Sequence, residues 1–155
     1  MGLDMYLTKH IFIGAEYGGV TGKIELASDG KPFNIDISKV STVAESVAYW
    51  RKANAIHNWF VQTLANGEDN CQPIHCTIDD LKNLLAICEQ IMAEPTEDFR
   101  AELAAKLLPP REGFFFGSTK IDEYYWEYLK YTIEILKGAV ERHDSHVHYE
   151  YCASW

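Results

Sequence analysis

The chain reads as a single α+β domain spanning residues 1–155, an antiparallel sheet packed with about four helices, and three observations predict it. Leu3, Met5 and Leu7 alternate with Asp4, Tyr6 and Thr8, the period-two pattern of a strand with one buried face. Val147, Tyr149, Tyr151, Ala153 and Trp155 alternate with His146, His148, Glu150 and Cys152 in the same way, so the chain ends on a strand able to pair with the first. Between the two, the apolar period lengthens to that of helices in segments bounded by capping residues, glycines and prolines. With 155 residues, 47% hydrophobic and 13% aromatic, one core can form without disulfides or metal.

After the first strand, a second short one is expected around His10 to Ala15, ended by Gly18-Gly19. "KIELASDGKPFNIDI" reads as a hairpin of two alternating arms joined through Ser28-Asp29-Gly30, where glycine supplies the positive φ of the turn. Thr42 followed by Glu45 has the form of a capping box, which predicts a first helix from there to Asn66-Gly67. Thr77 with Asp80 opens a second, with Ile78, Leu81, Leu85, Cys88 and Met92 on one face and Pro95 beyond its end. The third runs from Thr96 to Leu107, stopped by Pro109-Pro110, and the fourth from Asp122 to Arg142. On the fourth, Glu127/Lys130 and Glu134/Lys137 belong to an ordinary solvated face.

Fourteen basic against 23 acidic side chains, the basic ones scattered, argue against nucleic-acid binding. The acid excess concentrates between residues 67 and 102, where nine carboxylates face only Lys82 and Arg100, a surface suited to solubility or to a basic partner. No apolar run reaches the length of a membrane span, and Tyr6 stands where a myristoylation signal needs Ser or Thr. Four cysteines without a dense framework, and no apolar leader before Leu3, make a reducing cytoplasm the expected compartment.

Turned at 100° per residue, the expected first helix places Val43, Val47, Trp50, Asn54, His57, Val61 and Leu64 in one stripe. Asn54 and His57 are thereby forced inward, where each needs a hydrogen-bond partner from the protein or from a ligand. The opposite side carries Ala48, Ala55 and Trp59 beside Lys52, a second apolar face through which a homodimer could form. "GFFFGSTKIDEYYW", Gly113 to Trp126, is expected to run as a buried extended Phe114–Phe116 segment into the fourth helix. Its Gly117-Ser118-Thr119 approach turns amides and hydroxyls toward one spot, as anion sites do and as any capped helix does. The glycine spacing and lysine of a phosphate loop are absent, and Asp122 and Glu123 oppose a phosphate.

His57 with Asp122 or Glu123 is the acid–base pair to examine, and no serine or cysteine carries a nucleophile signature. Cys71, His75 and Cys76, and separately His143, His146 and His148, supply zinc-binding atoms, with His146 and His148 on one strand face. Neither spacing is that of a finger or knuckle, so no metal and no cofactor is expected.

"MGLDMYL" (Met1 to Leu7), "AYWRKANAIHNWFV" (Ala48 to Val61) and "GFFFGSTKIDEYYWEYLKYTIEIL" (Gly113 to Leu136) together resemble a family of small bacteriophage and prophage proteins without an assigned activity. These stretches cover about a third of the 155 residues. The resemblance implies a bacterial cytoplasm and a role in infection, and it transfers no catalytic residue. Two expectations follow. The protein is an accessory factor that binds and modulates a host protein, or it handles a small molecule or nucleotide in an aromatic-floored pocket. That pocket would be lined by Trp50, Arg51, Asn54, His57, Ser118, Asp122, Glu123 and Tyr124.

Overall fold

Met5 and Leu7, both fully buried, point to one face of strand β1 (Asp4–Phe12), while Tyr6 stands exposed on the other. A computed structural model describes residues 2–14, 27–32, 36 and 39–155. In it β1 is paired on both sides. The C-terminal strand β6 (Val147–Ser154) runs antiparallel to it from Asp4↔Ser154 to Ile11↔Val147. Strand β4 (Thr42–Arg51) lies along its other side. A short strand β5 (Ile74–Cys76) adds to the far edge of β6, giving the order β4-β1-β6-β5. The second strand expected from His10 is the end of β1 itself; Ala15 lies outside the described residues.

The first helix corrects the sequence reading. Thr42 and Glu45 are strand residues, and helix α1 covers only Asn54–Leu64. An S/T-x-x-E spacing is a local signal, and here the unpaired side of β1 outcompetes it. Ala48 and Trp50 turn inward opposite Leu7 and Met5, while Tyr49 and Arg51 turn outward. A bulge at Val47, where pairing moves from Leu7↔Ala48 to Thr8↔Ser46, hides this alternation over the preceding residues. The actual start of α1 carries no capping side chain. Instead Lys52, in the left-handed region at φ 57°, turns the chain out of the sheet while its N–H donates to the Leu3 carbonyl at 2.8 Å.

The other three helices form where local chemistry placed them. α2 (Ile78–Ala93) begins with the full Thr77/Asp80 capping box, and α3 (Glu97–Leu107) follows it. α4 (Glu123–Glu141) is capped by Asp122, whose carboxylate accepts from the Tyr125 N–H. α4 packs on α2 and on β4, α1 packs on β5, and α3 packs on α2. The helices bury Leu81, Leu84, Leu129 and Leu136 against Trp50, Phe60, Tyr149 and Tyr151. Trp50 Nε1–H donates to Thr132 Oγ1 at 2.9 Å, tying β4 to α4 through the core.

The expected hairpin turns at Asp29 and Gly30, both at positive φ as a type I′ turn requires, and among the described residues Ala27–Ser28 (β2) pairs with Lys31–Pro32 (β3) in a ladder of its own. The outer parts of its arms lie outside the described residues. The second apolar face is covered by the chain itself: Ala48, Ala55 and Trp59 are all buried, so it offers no patch for self-association.

Leu7→Ala on the central strand is expected to cost about 2–5 kcal/mol in urea unfolding, from lost burial and the cavity left behind. Thr77→Ala should cost about 0.5–2 kcal/mol, the range for an N-cap. Comparable small losses for both would place Leu7 outside the core.

Candidate functional site

Asn54 and His57 are each about 1% exposed, as expected, although Val43, Val47 and Trp50 of the expected helical stripe lie on β4 and only Asn54, His57, Val61 and Leu64 share a helix. Both are occupied from within the chain. The Asn54 amide donates from Nδ2 to the carbonyls of Phe116 (3.1 Å) and Ser118 (2.8 Å), clamping the 113–119 loop to the start of α1. That loop is a turn rather than the buried extended segment expected. Phe115 and Gly117 adopt φ of 70° and 91°, Phe116 N–H closes on the Gly113 carbonyl, and Phe114 is 80% exposed. Only Phe116 of the three phenylalanines enters the core. A Cβ on Gly117 would also sit 3.1 Å from that of Lys52, so glycine is needed there for space as well as for φ.

His57 sits in a chain of four polar groups. Its Nδ1 is 2.7 Å from the Tyr151 hydroxyl on β6, its Nε2 3.2 Å from Asp69 Oδ2, and Arg111 Nη2 reaches the same carboxylate oxygen at 3.2 Å. A carboxylate paired with an arginine can only accept, which puts the imidazole proton on Nε2 and leaves Nδ1 to accept from Tyr151. Burial pushes the His57 pKa down, opposed by the nearby Asp69 charge, and pushes Tyr151 well above its ordinary range. The ring is therefore neutral at pH 7, its edges packed by Phe116 and Trp155. The cavity beside it measures only about 10 Å³. That is room for one water and not for a substrate.

The eight residues assigned to one pocket are distributed over separate places. Trp50, Arg51 and Tyr124 share a groove of about 210 Å³ with Tyr49, Tyr128 and Tyr131, and the Tyr124 hydroxyl donates to the Arg51 carbonyl at 2.6 Å. Asp122 and Glu123 line a different groove, of about 410 Å³, on the side of α4 that carries Trp126 and faces Arg100 of α3. Ser118 meets Asn54 through its backbone carbonyl, while its hydroxyl accepts from the Lys120 N–H. The carboxylate partner of His57 is Asp69, not Asp122 or Glu123. Asp69 and Arg111 are reached by loops after α1 and α3, and no local spacing ties them to His57.

Among the cysteines, burial pushes the Cys76 and Cys88 thiols up to about 12, far from the thiolate a nucleophile or metal ligand needs. His75 and Cys76, adjacent on β5, point to opposite sides of the sheet, one exposed and one buried. His146 precedes β6 rather than sharing its face, and His143 packs over Tyr149. His148 groups instead with His10 and Glu150, one donor atom of each lying within 4.8 Å of the others.

A histidine whose folded pKa is lowered is protonated more readily in the unfolded chain, so stability is full above the unfolded pKa of about 6.5 and falls as pH drops below it. Urea unfolding between pH of about 7.5 and about 5.5 should show this fall, smaller in His57→Gln than in the parent. Tyr151→Phe, which leaves Nδ1 buried without a donor, should cost about 1–3 kcal/mol at neutral pH. Comparison with known proteins finds no family model, no curated protein and no solved structure that matches this chain.

Proposed function

We propose that the protein works by binding another protein, a host protein if the resemblance to phage accessory factors holds, and that the tyrosine groove beside β4 is the contact surface. The carrying observation is what the groove is made of. Tyr49, Tyr124 and Tyr131 are each more than 40% exposed, around a floor of buried Trp50 and Tyr128 with Arg51 at the rim. Tyrosine, tryptophan and arginine dominate the energetics of protein interfaces, because they offer large amphipathic area at low conformational cost. Tyr6 packs at a tilt against Tyr49, ring centroids 5.3 Å apart, and extends the aromatic surface across β1.

Position supports the same reading. β4 ends the four-stranded sheet, and among the described residues no strand pairs its outer side, so an extended segment laid there could use main-chain and side-chain contacts together. The occupant that fits is an extended peptide segment of the partner with an apolar side chain entering between Tyr124, Tyr128 and Tyr131. Handling of a small molecule or nucleotide is the second reading, favoured by the same groove. Its volume of about 210 Å³ is below the roughly 300–1,000 Å³ of typical ligand sites. The two residues that best suited chemistry, Asn54 and His57, are spent on structural bonds. A bacterial cytoplasm is the compartment this role implies, and no helix among the described residues is long and apolar enough to cross a membrane.

Pull-down from a bacterial host lysate, followed by affinity measurement with the purified partner, tests the proposal. Truncating Tyr49 and Tyr131 to alanine should weaken binding by about tenfold or more, the loss expected of interface anchors, with the circular dichroism spectrum unchanged. A partner held equally well by the Tyr49→Ala/Tyr131→Ala variant would move the contact surface elsewhere.

A further inference from the structure

The outer face of the sheet carries a side-chain set that neither the core nor the tyrosine groove uses. His10 on β1 and His148 on β6 are direct cross-strand partners, and their rings stack with centroids 4.6 Å apart and planes 5° from parallel. Glu150 lies two residues further along β6, on the same face by strand alternation, with Oε1 3.9 Å from His10 Nε2. His75 on β5 pairs with Glu150 across the next ladder, and its ring lies 5.5 Å from that of His148. Donor atoms of His10, His148 and Glu150 thus meet on two hydrogen-bonded strands, with His75 alongside on the third, the kind of support that holds ligands in place.

His10 Nε2 is buried and has no hydrogen-bond partner among the described residues. An unpaired buried ring nitrogen is costly unless something satisfies it. Stacked imidazoles cannot satisfy each other, because their in-plane lone pairs and N–H bonds point away from the stack.

We propose that His10, His148 and Glu150 form a binding site for a divalent transition-metal ion of the zinc class, with His75 as the fourth ligand. The donor set decides the ion class: imidazoles with one carboxylate suit zinc and its neighbours, whereas magnesium and calcium require shells of oxygen. The three donors are close but not yet convergent. Donors around a tetrahedral zinc ion with bonds of about 2.0–2.1 Å sit roughly 3.4 Å apart. The donor atoms of His10, His148 and Glu150 lie within 4.8 Å of one another, and ligation requires the two rings to turn out of their parallel stack so that their lone pairs converge on the ion. The site escapes sequence reading because its members come from positions 10, 75, 148 and 150, with no motif spacing to join them.

Cobalt(II), which reports ligand type by its visible absorption, is the probe. Titrated into untagged protein stripped with a chelator, it should give a saturable band for one ion per chain, without the intense thiolate band of a cysteine site, and zinc should displace it. The His10→Ala/His148→Ala variant should lose affinity by about tenfold or more, and His75→Ala should weaken it less. Cys71→Ser/Cys152→Ser should bind as the parent does. If the double histidine variant does not fold, His148→Gln gives the same reading. Absence of saturable binding by the parent protein, undiminished binding by His148→Gln, or loss of binding in the cysteine variant would each overturn the proposal.

Discussion

Double pairing of β1 is the constraint on which the rest of the molecule depends. One neighbour, β4, follows after a connection of some thirty residues, and the other, β6, is the end of the chain. Both ladders are non-local, so the loop-closure entropy they cost must be recovered by burial. The recovery comes from one face. Met5, Leu7, Trp50, Tyr149 and Tyr151 form a continuous aromatic and aliphatic floor, and α1, α2 and α4 bury it. Because β4 ends beside the start of β1, the chain must leave the sheet at Lys52, and its left-handed backbone there sets the direction in which α1 crosses.

That crossing explains the buried polar groups. Asn54 begins α1 directly under the 113–119 loop, and His57, one turn later, faces β6 at Tyr151. Thr132 is the third, accepting from Trp50 while its own hydroxyl donates to the Tyr128 carbonyl. All three are hydrogen-bonded within the chain. Each joins segments that hydrophobic contact alone would leave free to slide: a loop to a helix, a helix to the last strand, a strand to α4. Polar groups in such positions specify one arrangement as much as they stabilise it. With the interior polar groups committed in this way, the two proposed sites lie outside the core, one in the groove beside the edge strand and one on the histidine-bearing outer face of the sheet.

Several elements were legible because their signals are local. The Thr77/Asp80 box, the prolines around α3, the Asp122 cap and the alternation of Val147 to Trp155 act within a few residues, and each marks a boundary found in the structure. Thr42 to Arg51 was not legible, because a capping-box spacing favoured a helix while the bulge at Val47 broke the alternation that marks a strand. β5 has three residues, too few for any periodicity to register. The Phe114–Phe116 run gave no sign that two of its rings point outward, since an aromatic tripeptide reads as core unless the turn around it is known.

From residue types and spacing alone come the α+β class, three of the four helices with the capping box of α2, both terminal strands, and the burial of Asn54 and His57. Each of these rests on interactions between residues a few positions apart, or on the burial demanded by one helical face. The partners of those two buried groups, the division of the expected pocket into separate grooves, and the meeting of His10 with His148 were decided by the tertiary structure. The reason is register: which residue of β1 faces which residue of β6 and β4 is set by burying one side of a sheet whose strands lie at opposite ends of the chain. No local pattern carries that information.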